Sequence, residues 1–173
     1  AFVVLAYHEV ALLGGTWFDR DALTLVLPLN QFLVSSLRAG RLPEWADWVG
    51  LGVPFAANPL HGVLYPPFWL SALLPGPAGR DLVILFHLAV AAWGAAALAW
   101  RLGARGAGAF LAGATFAGSG YVASMPANNS VHLLAWTPWV AWGADRVARA
   151  TAVGLRAEVA VEEARLASLR TSS

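Results

Sequence analysis

The chain contains no cysteine and no lysine, and only one methionine. Without cysteine there is neither a disulfide framework nor a thiolate metal site, and the redox compartment leaves no trace. Charge is scarce as well: Asp, Glu, Lys and Arg make up 12% of 173 residues, about half the share of an ordinary soluble domain. Formal net charge is +1, so no strong field of either sign points to nucleic acid as a partner. A soluble domain of this size needs more polar surface than this to cover itself. Lipid as solvent removes that need.

What the chain does have is apolar length. It is 58% hydrophobic, with a mean hydropathy of +0.61. Nine tryptophans suit interfacial anchoring. Four apolar stretches stand out, near residues 1–15, 82–100, 107–124 and 131–144. The first is shorter than the ~20 residues a span needs. It has neither the basic start nor the cleavage site of a signal peptide. It therefore reads as the second half of a spanning helix, and the chain as the N-terminal piece of a longer protein. Val63–Leu74, broken by Pro66-Pro67, reads as re-entrant or interfacial.

Arginine sets the expected orientation. Arg101 and Arg105 link the second and third stretches, and Arg146 and Arg149 follow the fourth. Cytoplasmic segments collect such residues, which puts residues 16–81 and 126–130 outside. The expected fold is all-α, a polytopic transmembrane helical bundle with a large ordered extracytoplasmic first loop. Residues 1–150 form the transmembrane domain and 151–173 a charged helical tail. Within the loop, Leu23–Leu37 reads as a helix kinked at Pro28 and ended by Gly40. The Gly- and Pro-dense part beyond it reads as a fixed, folded-back loop. Gly113, Gly118 and Gly120 suggest close helix packing.

Asp21 is the leading candidate for chemistry, and Asp19 the second. A carboxylate at the outer surface suits a general base or a cation ligand near a lipid-linked phosphate. On spacing alone, Asp21 reads more readily as a helix N-cap. His61, on the loop, and His132, at the outer end of the fourth stretch, can meet it there. Asn128 and Asn129 form a polar turn beside His132. His87, His8 and Glu9 fall at membrane depth, where ionisable groups are costly; a packed, hydrogen-bonded imidazole fits either histidine equally well, and an inward-facing polar contact fits Glu9. No histidine pair has zinc-ligand spacing.

One resemblance adds to this. Asp21 and Pro28, the run Leu37-Arg38-Ala39-Gly40-Arg41-Leu42-Pro43-Glu44-Trp45, then Gly50 to Pro54, Asn58-Pro59 and Gly62-Val63-Leu64-Tyr65-Pro66-Pro67 follow in order. Gly118-Ser119-Gly120-Tyr121, His132 and Trp136-Thr137-Pro138-Trp139 come later. Together they resemble the bacterial YfhO family. Glu44, Ala46-Asp47, Leu51 and His61 depart from its usual pattern. The resemblance implies a relative of the GT-C glycosyltransferases, in a multi-pass bacterial inner-membrane setting. Such a protein moves a sugar from a polyprenyl-phosphate donor to a cell-envelope polymer acceptor. It also implies Asp21 as the catalytic or metal-associated acid, with a divalent cation as the one cofactor to look for. A transporter or flippase-like protein, with His87 and Glu9 along a path, and a non-catalytic scaffold are the alternatives.

Overall fold

The computed structural model describes residues 2–17, 22–124 and 130–171. Two short helices open the chain, α1 (Phe2–Ala6) and α2 (His8–Leu12). They are separated at Tyr7, whose backbone leaves the helical region (φ −117°, ψ 35°). Its hydroxyl donates to the carbonyl of Ala117 at 2.9 Å, satisfying a helix-end acceptor that has no partner within its own helix.

A π-helical turn, Ala22–Val26, runs into α3 (Leu27–Arg38). Pro28 falls in the first turn of α3, directly behind the π-helical turn. The expected mid-helix kink is thus replaced by a change of helix type ahead of the proline. At the far end Gly40 N–H bonds to Leu37 O and Arg41 N–H to Ser36 O. That is the Schellman pattern, completed by Gly40 at φ +72°.

Residues 41–76 build a small core against α3. A two-stranded antiparallel ladder pairs β1 (Trp45–Ala46) with β2 (Val53–Pro54), Trp45 opposite Pro54 and Ala46 opposite Val53. Leu33, Ala46, Phe55 and Val63 are buried together, with Phe32, Val53 and Phe68 packed around them. Two 3-10 helices follow, Pro59–His61 and Pro66–Ala72. At Gly62 the backbone lies against the Phe68 ring, and a Cβ there would sit 1.4 Å from a ring carbon. The Arg38 guanidinium donates to Ala72 O and Leu74 O, fastening the end of the second 3-10 helix to α3.

The remainder is helical: α4 (Pro77–Arg101), α5 (Ala107–Ala117), α6 (Gly120–Ser124) and α7 (Ser130–Thr171). The second core, Val3, Ile84, Leu88, Ala117 and Val122, lies among α1, α4, α5 and α6. Gly113 of α5 meets α4 so closely that a Cβ would come 2.5 Å from Ala92 O. Gly94 of α4 admits the Trp139 indole of α7, which donates to Val90 O at 3.0 Å. Of the other glycines expected to serve packing, Gly118 caps α5 and Gly120 faces open space.

The polytopic bundle is overturned. Among the described residues only α4 is long and apolar enough to cross a membrane. Its 25 residues span about 37 Å at the α-helical rise. Only 39% of its most apolar window is buried, unlike the core helix of a soluble domain. The other stretches fail for separate reasons. The first is broken at Tyr7. The third splits into α5 and α6 at Gly118-Ser119. The fourth runs without a break into the charged tail, so α7 is 42 residues long but nowhere apolar enough. The β1–β2 ladder also departs from an all-α fold.

Candidate functional site

A buried polar cluster forms where the start of α4 passes under the second 3-10 helix. Gly79 makes this possible: a Cβ there would lie 2.1 Å from Ser71 O. The close approach buries the next two residues, Arg80 (5% exposed) and Asp81 (3%). Arg80 donates through Nη1 to Trp17 O at 3.1 Å. Both carboxylate oxygens of Asp81 are shielded from water and have no hydrogen-bond partner among the described residues. The Thr16 hydroxyl and the Trp17 backbone face Asp81 without reaching hydrogen-bond geometry, and Thr16 Oγ1 is itself buried and unpartnered among those residues. An acid at a helix start is ordinarily exposed and favoured by the helix dipole. Buried with no donor at hydrogen-bond geometry among the described residues, it is a costly group.

Two turns on, His87 is fully buried. Its Nδ1 lies 2.7 Å from Val83 O and its Nε2 2.8 Å from the Tyr65 hydroxyl. The Trp136 indole of α7 donates to that same hydroxyl at 2.7 Å. A carbonyl only accepts and an indole only donates. Nδ1 of His87 therefore carries the proton, and the Tyr65 O–H, accepting from Trp136, donates to Nε2. The imidazole is neutral and fully bonded.

His132 packs edge-on against His87, ring centroids 4.3 Å apart, and against Phe68 at 4.4 Å. It is buried, and its Nδ1 has no partner among the described residues. Burial first, then His87 and Arg80, push its pKa down to about 3. His132 is thus a neutral imidazole at physiological pH, with an open nitrogen, packed on His87 and within electrostatic reach of Arg80.

Of the residues singled out from sequence, His132 belongs to this cluster. His61 does not: it stacks on Phe55 at 4.0 Å, with Nδ1 2.8 Å from Phe55 O and Nε2 3.3 Å from the Asn58 amide. Both its nitrogens serve the loop's own core. Asp19, Asp21, Asn128 and Asn129 lie outside the described residues. The Glu9 side chain is exposed, not turned into the bundle. No group of three His, Asp or Glu among the described residues is arranged to hold a metal ion. Asp21, the acid that the resemblance associates with a divalent cation, lies outside those residues.

Sequence reasoning passed over Arg80 and Asp81, which marked the end of a loop, and Thr16. The available signal was an Arg-Asp pair at the head of the most apolar helix in the chain. No family model, curated protein or solved structure matches this chain, so the site stands on its own geometry.

Proposed function

We propose that this chain serves, at the membrane, in transfer of a sugar from a polyprenyl-phosphate donor to an envelope hydroxyl, with the Asp81–His132 cluster at the reacting end. One observation carries the reading: a buried carboxylate and a buried imidazole nitrogen, both without partners among the described residues, beside a buried arginine. Such groups are expensive unless a ligand completes them. In this reading α4 crosses the bilayer and its Arg101 end lies on the cytoplasmic side. The Asp81 end meets the donor at the outer surface.

The chemistry needs a base and a positive charge. The Asp81 carboxylate takes the proton of the acceptor hydroxyl as its oxygen attacks the anomeric carbon. The C–O bond to phosphate breaks, and polyprenyl phosphate leaves with the bonding pair. Arg80 offsets the charge that remains on the phosphate. His132 Nδ1 accepts a hydrogen bond from a sugar hydroxyl. Asp21, the acid that the resemblance implies, is the competing base.

Asp81→Asn and Asp21→Asn, each in the full-length protein, separate them. Donor consumption should fall by about 100-fold or more in the variant that lacks the base, with expression and insertion unchanged. Full activity in both removes the catalytic reading.

A further inference from the structure

The opposite end of α4 carries a second feature that sugar transfer does not use. Trp93, Ala96, Ala97, Trp100, Arg101, Arg105, Ala109 and Trp142 enclose an open cleft of about 620 Å³ between α4, α5 and α7. Its two halves differ in chemistry. Trp93, Ala96, Ala97 and Ala109 make the lower wall apolar. Arg101 and Arg105 stand at the mouth, and Trp93 to Arg101 covers about 12 Å along the helix.

The mouth is cationic on balance. Four arginines, Arg101, Arg105, Arg146 and Arg149, gather here around a single acid, Asp145. Asp145 pairs with Arg101 and Arg149. Arg105 and Arg146 have no carboxylate partner among the described residues. Each lies over a tryptophan instead, 4.9 Å from the ring centroid of Trp100 or Trp142. Arg105 also donates to Trp100 O at 3.1 Å, which holds its guanidinium at the rim. The indoles Trp93 (69% exposed) and Trp100 (53%) are open to the surroundings.

We infer that this cleft seats one anionic phospholipid, its phosphate against Arg105 and Arg101 and an acyl chain along Trp93, Ala96, Ala97 and Ala109. The apolar floor accepts a chain, the excess cation accepts a phosphate, and the tryptophans mark the level at which the two meet. A soluble anion uses only the mouth, and a neutral lipid only the floor. The inference rests on α4 lying in a bilayer, and not on sugar transfer.

The test uses the purified full chain in phosphatidylcholine nanodiscs. Phosphatidylglycerol with brominated acyl chains, or brominated phosphatidylcholine, is titrated in, and tryptophan quenching is read. The brominated phosphatidylglycerol should quench at the lower mole fraction. Arg105→Gln should raise its half-saturation about fivefold, the loss of one membrane-proximal arginine. Ala97→Leu, which fills the floor and leaves charge unchanged, should also weaken it, whereas Arg156→Gln on the distal part of α7 should not. Circular dichroism establishes that each variant is folded. Equal quenching by the two lipids overturns the site while leaving membrane insertion in place. Absence of quenching by either overturns insertion as well. A preference that survives both Arg105→Gln and Ala97→Leu overturns the assignment to this cleft. Complete displacement by inorganic phosphate overturns the lipid in favour of a soluble anion.

Discussion

The two ends of α4 place ionic groups against α7 and its neighbours in opposite ways. At the Arg101 end, the Arg101–Asp145 pair and the Arg149–Asp145 pair at 2.9 Å are half open to the surroundings and fully partnered. At the Asp81 end, acid, cation and imidazole are buried, and two of the three have unpartnered polar atoms among the described residues. Exposed pairs cost little and contribute little. Buried groups without partners are destabilising, and a fold that keeps them has a use for them. The chemistry proposed above therefore belongs to the Asp81 end.

The comparison breaks if the two ends are not joined by a rigid middle. Gly94 is the joint, because Trp139 occupies the space a side chain would need. Gly94→Ala should displace the indole, lose its bond to Val90 O and cost about 1–3 kcal/mol. Gly143→Ala on α7, where a Cβ meets nothing within 4 Å, should be neutral or slightly stabilising. Thermal unfolding in detergent distinguishes the two.

A pH titration sharpens the comparison. His132 binds a proton near pH 6.5 when unfolded but only near 3 when folded. As pH falls below 6.5 the unfolded state takes up a proton that the native state refuses, and stability declines. Between pH 7.5 and 5 the loss should be about 1–2 kcal/mol, and His132→Gln should remove that part of the slope. The Arg149 hydrogen bond, opposed by burial and supported by Arg101, holds Asp145 below the usual carboxylate range. Its contribution is present above pH ~4 and fades only as pH falls through its lower folded value. Chemical denaturation across pH 4–8 should therefore register His132 and not Asp145.

The smallest expected effect is at the exposed end. Asp145→Asn should barely move the unfolding midpoint, and added salt should erase even that difference. A large loss would mean that the Arg101 end is as demanding as the Asp81 end.

How much of this was legible in the sequence depended on distance along the chain. The apolar run 82–100 became α4, and Gly40 ended α3, because hydropathy and left-handed turns are local properties. The broken first stretch was not legible, because the break at Tyr7 is fixed by a carbonyl 110 residues away. Asp81 was missed for the same reason. Its burial comes from the close approach of Gly79 to Ser71, with Thr16 and Trp17 facing it from the start of the chain, and a window of neighbouring residues sees only an acid at a helix start. The number of spans was overread, since apolar composition does not say whether a helix will be interrupted.

The hydroxyl of Tyr65 has a last consequence. It joins the loop, α4 and α7 at one oxygen, between a donor that cannot accept and an imidazole whose far nitrogen faces a carbonyl. Every hydrogen in that row points the same way, and neither end exchanges a proton: an indole N–H does not give one up and an amide carbonyl does not take one. The row therefore behaves as a clamp and not as a wire. Ion translocation through His87 would first have to break the bond that holds the three segments together.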